Sequence, residues 1–238
     1  MKKLLLTIPV FASLTAASQD QKSPDNIFKL NMPSLLLKNF SFQYERALGA
    51  KTSLALGLRF QPNGSVPFQE FIKDQVDDPD ILVGEARMGN LAITPEFRYY
   101  FKERFRGLYL APYLRYASFE ATAPVTYTGT GTERIARFQG DISSFSVGVL
   151  FGNQFQLGKR WVLDWWILGG HIGSSSGQLD FQSALTPEEQ ENLQSTLDEV
   201  DIPFFNIESD IRADGGTIKA KGAWGGVRAF GLSLGLRF

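Results

Sequence analysis

The chain of 238 residues contains no cysteine, which excludes disulfide bonds, thiol chemistry and a lipid anchor attached to cysteine. Its 24 basic and 25 acidic residues nearly balance, so it has no overall basic field of the kind that recruits nucleic acid. After the first twenty residues, no apolar run reaches the roughly eighteen residues of a transmembrane helix.

The N-terminus has the three parts of a secretory signal peptide. Lys2 and Lys3 supply positive charge, residues 4–14 form an apolar stretch, and small residues suited to cleavage follow. We therefore predict a signal peptide over residues 1–18 and one mature domain over residues 19–238.

Apolar and polar residues alternate in eight segments, which is the pattern of β-strands with two different faces. The alternation is clearest at the end of the chain, where Leu232, Leu234, Leu236 and Phe238 share one face. The predicted strands are 26–35, 38–48, 51–62, 88–101, 106–121, 138–156, 160–176 and 221–238. Pro33 makes the first strand the least regular of them.

The links between these strands are alternately short and long. Those near residues 48–51, 102–106 and 157–160 are tight turns, and the links over residues 62–87, 122–137 and 177–220 are long. This pattern is expected when one membrane face carries short turns and the other long loops. Because every backbone polar group in a bilayer must be paired, such a sheet has to close. The predicted fold class is all-β: a closed eight-stranded antiparallel transmembrane β-barrel with short periplasmic turns and long extracellular loops.

These features together resemble the small outer-membrane barrels of Gram-negative bacteria. The resemblance is carried by the signal peptide, the small size, the strand pattern and the terminal Gly-Leu-Ser-Leu-Gly-Leu-Arg-Phe; residues 42–46, 93–100 and 162–164 resemble an uncharacterised family of that kind. It implies a location in the cell outer membrane, in contact with outer-membrane lipid. It also implies that Phe238, Leu236 and Leu234 form the membrane assembly signal that the barrel-assembly machinery reads.

An eight-stranded barrel has an interior filled by side chains instead of an open channel. The polar face of the strands should point into this interior, and buried charges need partners there. We predict a structural lumenal charge network in which arginines bridge carboxylates. Its residues are Glu45, Arg59, Glu96, Arg98, Arg115, Asp164 and Arg237, with Lys29 on the same face.

The sequence offers little support for catalysis or metal binding. His171 is the single histidine, and a hydrolase would need a serine hydroxyl beside its ring. His171 shares a strand face with Gly173, while Ser174 points the other way unless a bulge intervenes. The acidic loops match no calcium-loop spacing. We therefore predict no catalytic residue, no metal site and no cofactor.

Aromatic residues are expected to form a belt at each membrane interface. The expected periplasmic belt contains Phe238, Trp161, Phe101 and Phe155, and the outer belt contains Trp224, Phe119 and Tyr116. Arg228 has the lipid-facing parity of the last strand and is expected near the outer interface.

The last long link contains a predicted helix. Thr186 and Glu189 have the spacing of a capping box, and Pro187 suits the first helical position. The helix is expected to continue to Glu199.

Three functions stay open at this point. The preferred one is a non-enzymatic outer-membrane barrel, a structural or interaction protein of the cell envelope with a protein partner there. The second is a membrane-embedded lipid-modifying hydrolase, which requires Ser174 or Ser175 beside His171. The third is a soluble ligand-binding barrel with its apolar face inside, which leaves the terminal Phe238 and the aromatic belts unexplained.

Overall fold

The computed structural model describes residues 25–68, 85–129, 132–198 and 203–238. The predicted signal peptide lies outside these ranges. Within them the chain forms nine strands and two helices: β1 (Asn26–Asn31), α1 (Met32–Leu36), β2 (Phe40–Ala47), β3 (Thr52–Ser65), β4 (Arg87–Tyr100), β5 (Gly107–Gly129), β6 (Thr132–Leu157), β7 (Trp161–Gln182), α2 (Pro187–Asp198), β8 (Phe205–Arg212) and β9 (Gly215–Arg237).

The strands form one antiparallel sheet that closes into a ring. Their order is β1-β2-β3-β4-β5-β6-β7-β9-β8, and β1 also pairs with β9. One edge of β9 pairs with β7, and its other edge pairs with β1 at one end and β8 at the other. The all-β antiparallel prediction is confirmed, and eight strands close the ring. The prediction missed the ninth strand, β8, a short strand whose pairing in the described chain is with β9 alone.

The two ends of the ring differ in their connections. The turns β2–β3, β4–β5 and β6–β7 lie at one end, here named the short-turn end, together with both termini of the ring. The opposite, long-loop end carries α1, α2 and β8. Strands β5, β6, β7 and β9 have 22 to 26 residues against 6 to 14 in β1 to β4, so the sheet rises on one side at the long-loop end.

The prediction of a long loop over residues 122–137 is wrong. Strands β5 and β6 continue through it as one hairpin, paired from Gly107–Gln154 to Gly129–Thr132. Val125, Thr126 and Tyr127 are β-branched or aromatic residues, which favour extended backbone where a partner strand is present.

The first strand ends earlier than predicted because α1 begins directly after it. The side chain of Asn31 accepts a hydrogen bond from the backbone N–H of Ser34 at 3.0 Å and caps the helix. Pro33 lies in the first turn, where its missing N–H is not needed. The proline that was expected to disturb a strand therefore starts a helix.

The capping box predicted for α2 is confirmed. The backbone N–H of Thr186 donates to the Glu189 carboxylate at 2.7 Å, and the backbone N–H of Glu189 donates to Thr186 Oγ1 at 3.3 Å. The helix reaches Asp198, the last described residue before Glu199. Neither described helix is long and apolar enough to cross a membrane.

Large apolar side chains cover the outside of the ring. Leu56 on β3 is 52% exposed and Val147 on β6 is 49% exposed. The same outer face includes Phe28, Phe42, Leu54, Leu58, Ile93, Phe97, Leu110, Leu114, Phe145, Val149, Trp165 and Leu234. The inner face holds charged, polar and aromatic residues, so the ring is apolar outside and polar inside.

A β-bulge reverses this alternation in the parts of β7 and β9 that lie toward the long-loop end. Ile167 is an extra residue on β7, and on β9 Phe230 has a positive φ of 57°. On the short-turn side of the bulge, even-numbered residues of β9 such as Leu232 point outward. On the long-loop side Val227 points outward, 72% exposed, and Arg228 points inward. The predicted lipid-facing position of Arg228 is therefore wrong.

Two glycines of β6 make room for tyrosines inside the ring. Tyr109 pairs with Gly152, and Tyr113 pairs with Gly148. A Cβ atom at either glycine would lie within 2.7 Å of the neighbouring tyrosine ring or hydroxyl. The absence of a side chain at these positions lets both rings pack against the backbone of β6.

Candidate functional site

We call the half of the interior nearer the short-turn end the lower half and the other the upper half. The lower half holds a fully buried group of charges, here named the charge cluster: Lys29, Glu45, Glu96, Arg98 and Asp164. They come from β1, β2, β4 and β7, which the closed sheet brings together around one axis. All five side chains are 0% exposed. Such burial is tolerable only when every charge has partners.

Arg98 is the central cation of the charge cluster. Its guanidinium donates to Asp164 Oδ2 at 2.6 Å and to Glu96 Oε2 at 2.8 Å, and it reaches Glu45 at 3.4 Å. It also donates to Gln43 at 2.8 Å and lies 4.5 Å from the ring centre of Tyr109. One guanidinium thus contacts all three carboxylates, using its fixed fork of donors.

Lys29 is the second cation of the charge cluster. Its ammonium lies 2.5 Å from both Glu45 and Asp164 and donates to Gln154 at 2.9 Å. Two tyrosines complete the shell: Tyr100 donates to Glu45 at 2.6 Å and Tyr109 donates to Asp164 at 2.7 Å. The hydroxyl of Ser53 also donates to Glu45.

Arg228 joins this group from above and balances its charge. Two of its nitrogens lie 3.1 Å from Glu96 Oε1, and its guanidinium lies 4.6 Å from the ring centres of both Tyr113 and Trp166. With Arg228 included, three cations face three carboxylates. Sequence alternation missed this partner because the bulge at Ile167 and Phe230 turns it inward.

Two further arginines lie on the long-loop side of the charge cluster. We name them the arginine pair: Arg59 and Arg115. Arg115 donates to the Thr94 hydroxyl at 3.1 Å, and its charge interacts unfavourably with Arg59 and Arg228. Neither member of the arginine pair has a carboxylate within ion-pair distance in the described part of the chain. The pair thus adds two positive charges that the balanced group below does not neutralise.

The predicted network is therefore divided. The structure brings Glu45, Glu96, Arg98 and Asp164 together, places Arg59 and Arg115 above them, and places Arg237 at the short-turn end. The guanidinium of Arg237 lies 5.3 Å from the ring centre of Phe105 and has further partners. Lys29 was predicted on the inner face and is a full member of the charge cluster.

His171 points into the ring near the arginine pair. Its Nδ1 lies 3.3 Å from the Tyr113 hydroxyl, and its ring stands against Gly226. In the described contacts the hydroxyl of Ser175 is turned to the carbonyl of Gly222 at 3.5 Å, not to the histidine.

Two members of the expected outer aromatic belt are inside the sheet instead. The rings of Phe119 on β5 and Trp224 on β9 lie 5.9 Å apart, although two strands separate β5 from β9. They can meet only across the interior. Trp224 lies beyond the bulge that reverses β9, and Phe119 shares the inner parity of Arg115. Tyr116 remains on the outer face, 44% exposed.

The aromatic residues expected at the short-turn end are on the surface. Trp161, Phe101 and Phe155 are 50%, 51% and 41% exposed, and Phe238 is 59% exposed. The backbone of Phe238 pairs with that of Asn26, which joins the two ends of the described ring. The assembly role of Phe238, Leu236 and Leu234 stays a prediction.

Acidic groups at the long-loop end have pKa values shifted by local hydrogen bonds. The Thr217 hydroxyl and the Gln178 amide donate to Asp180 and hold the pKa of its carboxyl below the usual value. The backbone N–H of Thr186 does the same for the pKa of Glu189. The described residues contain no group of three or more potential ligands arranged to hold a metal ion.

Comparison with known proteins places the chain by sequence. No significant match was found among curated proteins. The sequence model of the family described as "Protein of unknown function (DUF3575)" matches residues 4–198. Because that match spans most of the 238 residues, the chain belongs to the DUF3575 family.

Proposed function

We propose that this protein is an integral outer-membrane β-barrel with a side-chain-filled lumen, acting as a structural or interaction protein of the cell envelope. The observation that carries the proposal is the inverted distribution of side chains: exposed Leu, Val, Ile and Phe outside, and a buried charge cluster inside. A soluble protein rarely exposes an apolar surface that surrounds the whole molecule.

The closed sheet is consistent with a bilayer. A hydrocarbon environment offers no hydrogen bonds to backbone groups, so a spanning sheet must have no open edge. The β1–β9 pairing provides that closure. Strands β3 to β7 and β9 have at least 14 residues, more than the roughly ten that a tilted spanning strand needs.

The proposed orientation places the short-turn end in the periplasm and the long-loop end outside the cell. Trp161, Phe101, Phe155 and Phe238 then form the periplasmic aromatic belt. The charge cluster fills the lower half of the lumen, which argues against an open pore. Helix α2 and strand β8 stand at the outer end, where a protein partner would meet them.

A soluble barrel with an apolar interior is disfavoured by the same distribution, since its charges would have to lie outside. A lipid-modifying hydrolase would need a serine beside His171, and the described contacts give that ring a tyrosine hydroxyl instead. We therefore propose no enzymatic activity.

Fractionation tests the location. The full chain, expressed in a Gram-negative host, is expected in the outer-membrane fraction, with a gel mobility that changes on heating. Recovery in the soluble fraction without a mobility shift would contradict the proposal.

A matched pair of arginine substitutions tests the membrane face. Val147→Arg places a charge in the middle of the apolar band and is expected to lower the free energy of unfolding by about 2–4 kcal/mol. Ile135→Arg places the same charge on the outer face of the β5–β6 hairpin near its tip and should cost about 1 kcal/mol or less. Equal effects in lipid vesicles would mean that the band does not contact lipid.

The interaction role needs a separate test. The protein purified from native outer membranes in mild detergent is expected to bring a protein partner with it, and deletion of residues 187–212 should abolish that association. A chain that always purifies alone would leave the structural role and remove the interaction role.

A further inference from the structure

The arginine pair lines a small cavity on the long-loop side of the charge cluster. Arg59, Arg115, Arg228 and Trp166 form part of its wall, and its volume of about 20 Å³ has room for about one water-sized group. Its other lining residues belong to β2, β3 and β4, and the described lining contains no Asp or Glu. Three arginines therefore converge on one small space without an acidic residue in its described wall.

The indole of Trp166 has an unused donor at this cavity. Trp166 is 7% exposed, and its Nε1–H has no hydrogen-bond partner in the described part of the chain. The ring atoms packed over Gly231 are Cε3, Cδ2 and Cζ3, which lie on the side of the indole away from Nε1. Because buried polar groups nearly always have a partner, this N–H indicates an acceptor that the described residues do not supply.

The positive charges at the cavity are only partly compensated. Arg228 is bound to Glu96 through two nitrogens at 3.1 Å, whereas the described acceptor of Arg115 is the neutral hydroxyl of Thr94. Arg59 repels both Arg115 and Arg228. A water molecule in the cavity would accept hydrogen bonds but leave this repulsion in place. A small anion would accept the same hydrogen bonds and also reduce the repulsion.

We propose that the cavity binds one chloride ion, which accepts hydrogen bonds from the Trp166 indole and from the guanidinium groups of Arg59 and Arg115. Arg228 keeps its contact with Glu96 and adds electrostatic attraction. The volume suits a monatomic ion and is too small for sulfate, phosphate or an organic carboxylate. Charge-assisted hydrogen bonds favour an anion over water at a site with several cationic donors.

The bound ion connects strands that are not neighbours in the sheet. Arg59 lies on β3, Arg115 on β5 and Trp166 on β7. In the lower half of the interior, carboxylates of the chain itself join the strands; in the upper half, an ion taken from solution does so. The site lies inside the ring, so this inference goes beyond the proposed membrane location and does not depend on it.

NMR of the indole N–H groups tests the site directly. The chain has four tryptophans, and the resonance that disappears in Trp166→Phe belongs to Trp166. Chloride replaces gluconate at constant ionic strength, and each sample of the full chain is refolded from urea into detergent micelles in its own salt mixture, so that entry of the ion is not limiting. The Trp166 N–H resonance should respond saturably to chloride. The resonance of Trp161, which is 50% exposed, should stay in place.

Substitutions assign the binding to the arginine pair. The double variant Arg59→Gln/Arg115→Gln retains the Trp166 N–H as the reporter. Its dissociation constant for chloride should rise at least about tenfold, because two charge-assisted hydrogen bonds are lost. Arg106→Gln removes an exposed arginine at the short-turn end and is the matched control; its chloride titration should equal that of the original chain.

Urea unfolding provides an independent readout. Chloride should raise the urea midpoint of the original chain relative to gluconate, because an ion that binds only the folded ring stabilises it. The double variant should have the same midpoint in both salts. In gluconate it should be at least as stable as the original chain, since the repulsion between the arginines is gone.

Two outcomes would overturn the proposal. A Trp166 resonance that does not respond to chloride would mean that water fills the cavity. A response of unchanged affinity in the double variant would mean that the arginine pair does not hold the ion. Heat-dependent gel mobility confirms that each variant is folded before titration. Neither outcome affects the proposed membrane location, because fractionation is measured independently.

Discussion

The lower and upper halves of the ring interior are built from the same residue types but have opposite charge balance. Below, Lys29, Arg98 and Arg228 face three carboxylates at distances of 2.5 to 3.4 Å. Above, Arg59 and Arg115 face no described carboxylate within ion-pair distance. A charged side chain on the inner face therefore does not always have an ion-pair partner.

This difference suggests a division of roles. A balanced, fully satisfied group of buried charges fixes the arrangement of the strands that contribute to it, whereas cations without a carboxylate partner add a desolvation cost and repel one another. Substitutions in the two halves should therefore behave differently.

The largest effect is expected for Arg98→Met. It leaves Glu96, Glu45 and Asp164 with too few cations in a buried setting, so the free energy of unfolding should fall by about 3–5 kcal/mol. Urea unfolding in detergent micelles, followed by gel mobility, measures the change. Arg59→Met is the matched substitution in the upper half and should leave stability unchanged or raise it. Similar losses in both variants would remove the distinction between the halves.

The next largest effect concerns the contact that joins the halves. Glu96→Gln and Arg228→Met should each destabilise the ring, because each leaves an opposite charge without its partner. The double variant should lose less than the sum of the two, with a coupling of about 0.5–3 kcal/mol in a double-mutant cycle. Additive losses would show that the 3.1 Å contact does not contribute to stability.

A smaller effect is expected outside the ring, at α2. Thr186→Ala removes the acceptor for the backbone N–H of Glu189 and should cost the helix about 1 kcal/mol, seen as faster amide hydrogen exchange. The ring should retain its gel mobility.

The same helix should respond to acid. The pKa of Glu189 is held below its ordinary value of 4.5 first by the backbone N–H of Thr186. A lowered pKa in the folded state means that the stabilisation is complete above pH 4.5 and is lost as the pH falls through the lower folded value. Carboxyl NMR titration of Glu189 measures this. Glu189→Gln should remove the acid dependence of exchange in α2; a dependence that persists would place its origin elsewhere.

The bulge can be tested by single-cysteine labelling, because the chain has no cysteine of its own and each introduced thiol is unique. Single cysteines at Val227 and Leu232 should both react with a lipid-soluble maleimide, although one position is odd and the other even. A cysteine at buried Ser233 should stay unlabelled. Labelling at Leu232 alone would mean that the alternation of β9 is not reversed.

Much of the architecture follows from local patterns in the sequence. All eight predicted strands overlap observed strands, with ends that differ by up to eight residues, since period-two alternation is strong in segments such as residues 52–60 and 232–238. Thr186, Pro187 and Glu189 predicted a helix start because capping is a local interaction. The charged residues of the inner face could be recognised for the same reason.

The errors arise where one residue changes the register or a distant partner decides the conformation. The extra residue Ile167 and the positive φ of Phe230 are invisible to a parity argument, so Arg228 and Trp224 were assigned to the wrong face. Asn31 and Pro33 start α1 within the last residues of the predicted first strand. Strand β8 depends on an edge of β9 that the sequence alone does not locate.

The pairing of β1 with β9 has a kinetic consequence. It consists of five residue pairs, whereas all 23 residues of β5 pair with β6. The backbones that meet there, Asn26 and Phe238, are 212 positions apart in the chain. Contacts between residues so distant in sequence form slowly, and a pairing of so few residues needs little free energy to open. We expect the β1–β9 pairing to form last during folding and to open first in the folded protein. Partially opened molecules should therefore have lost this pairing while the rest of the sheet stays paired.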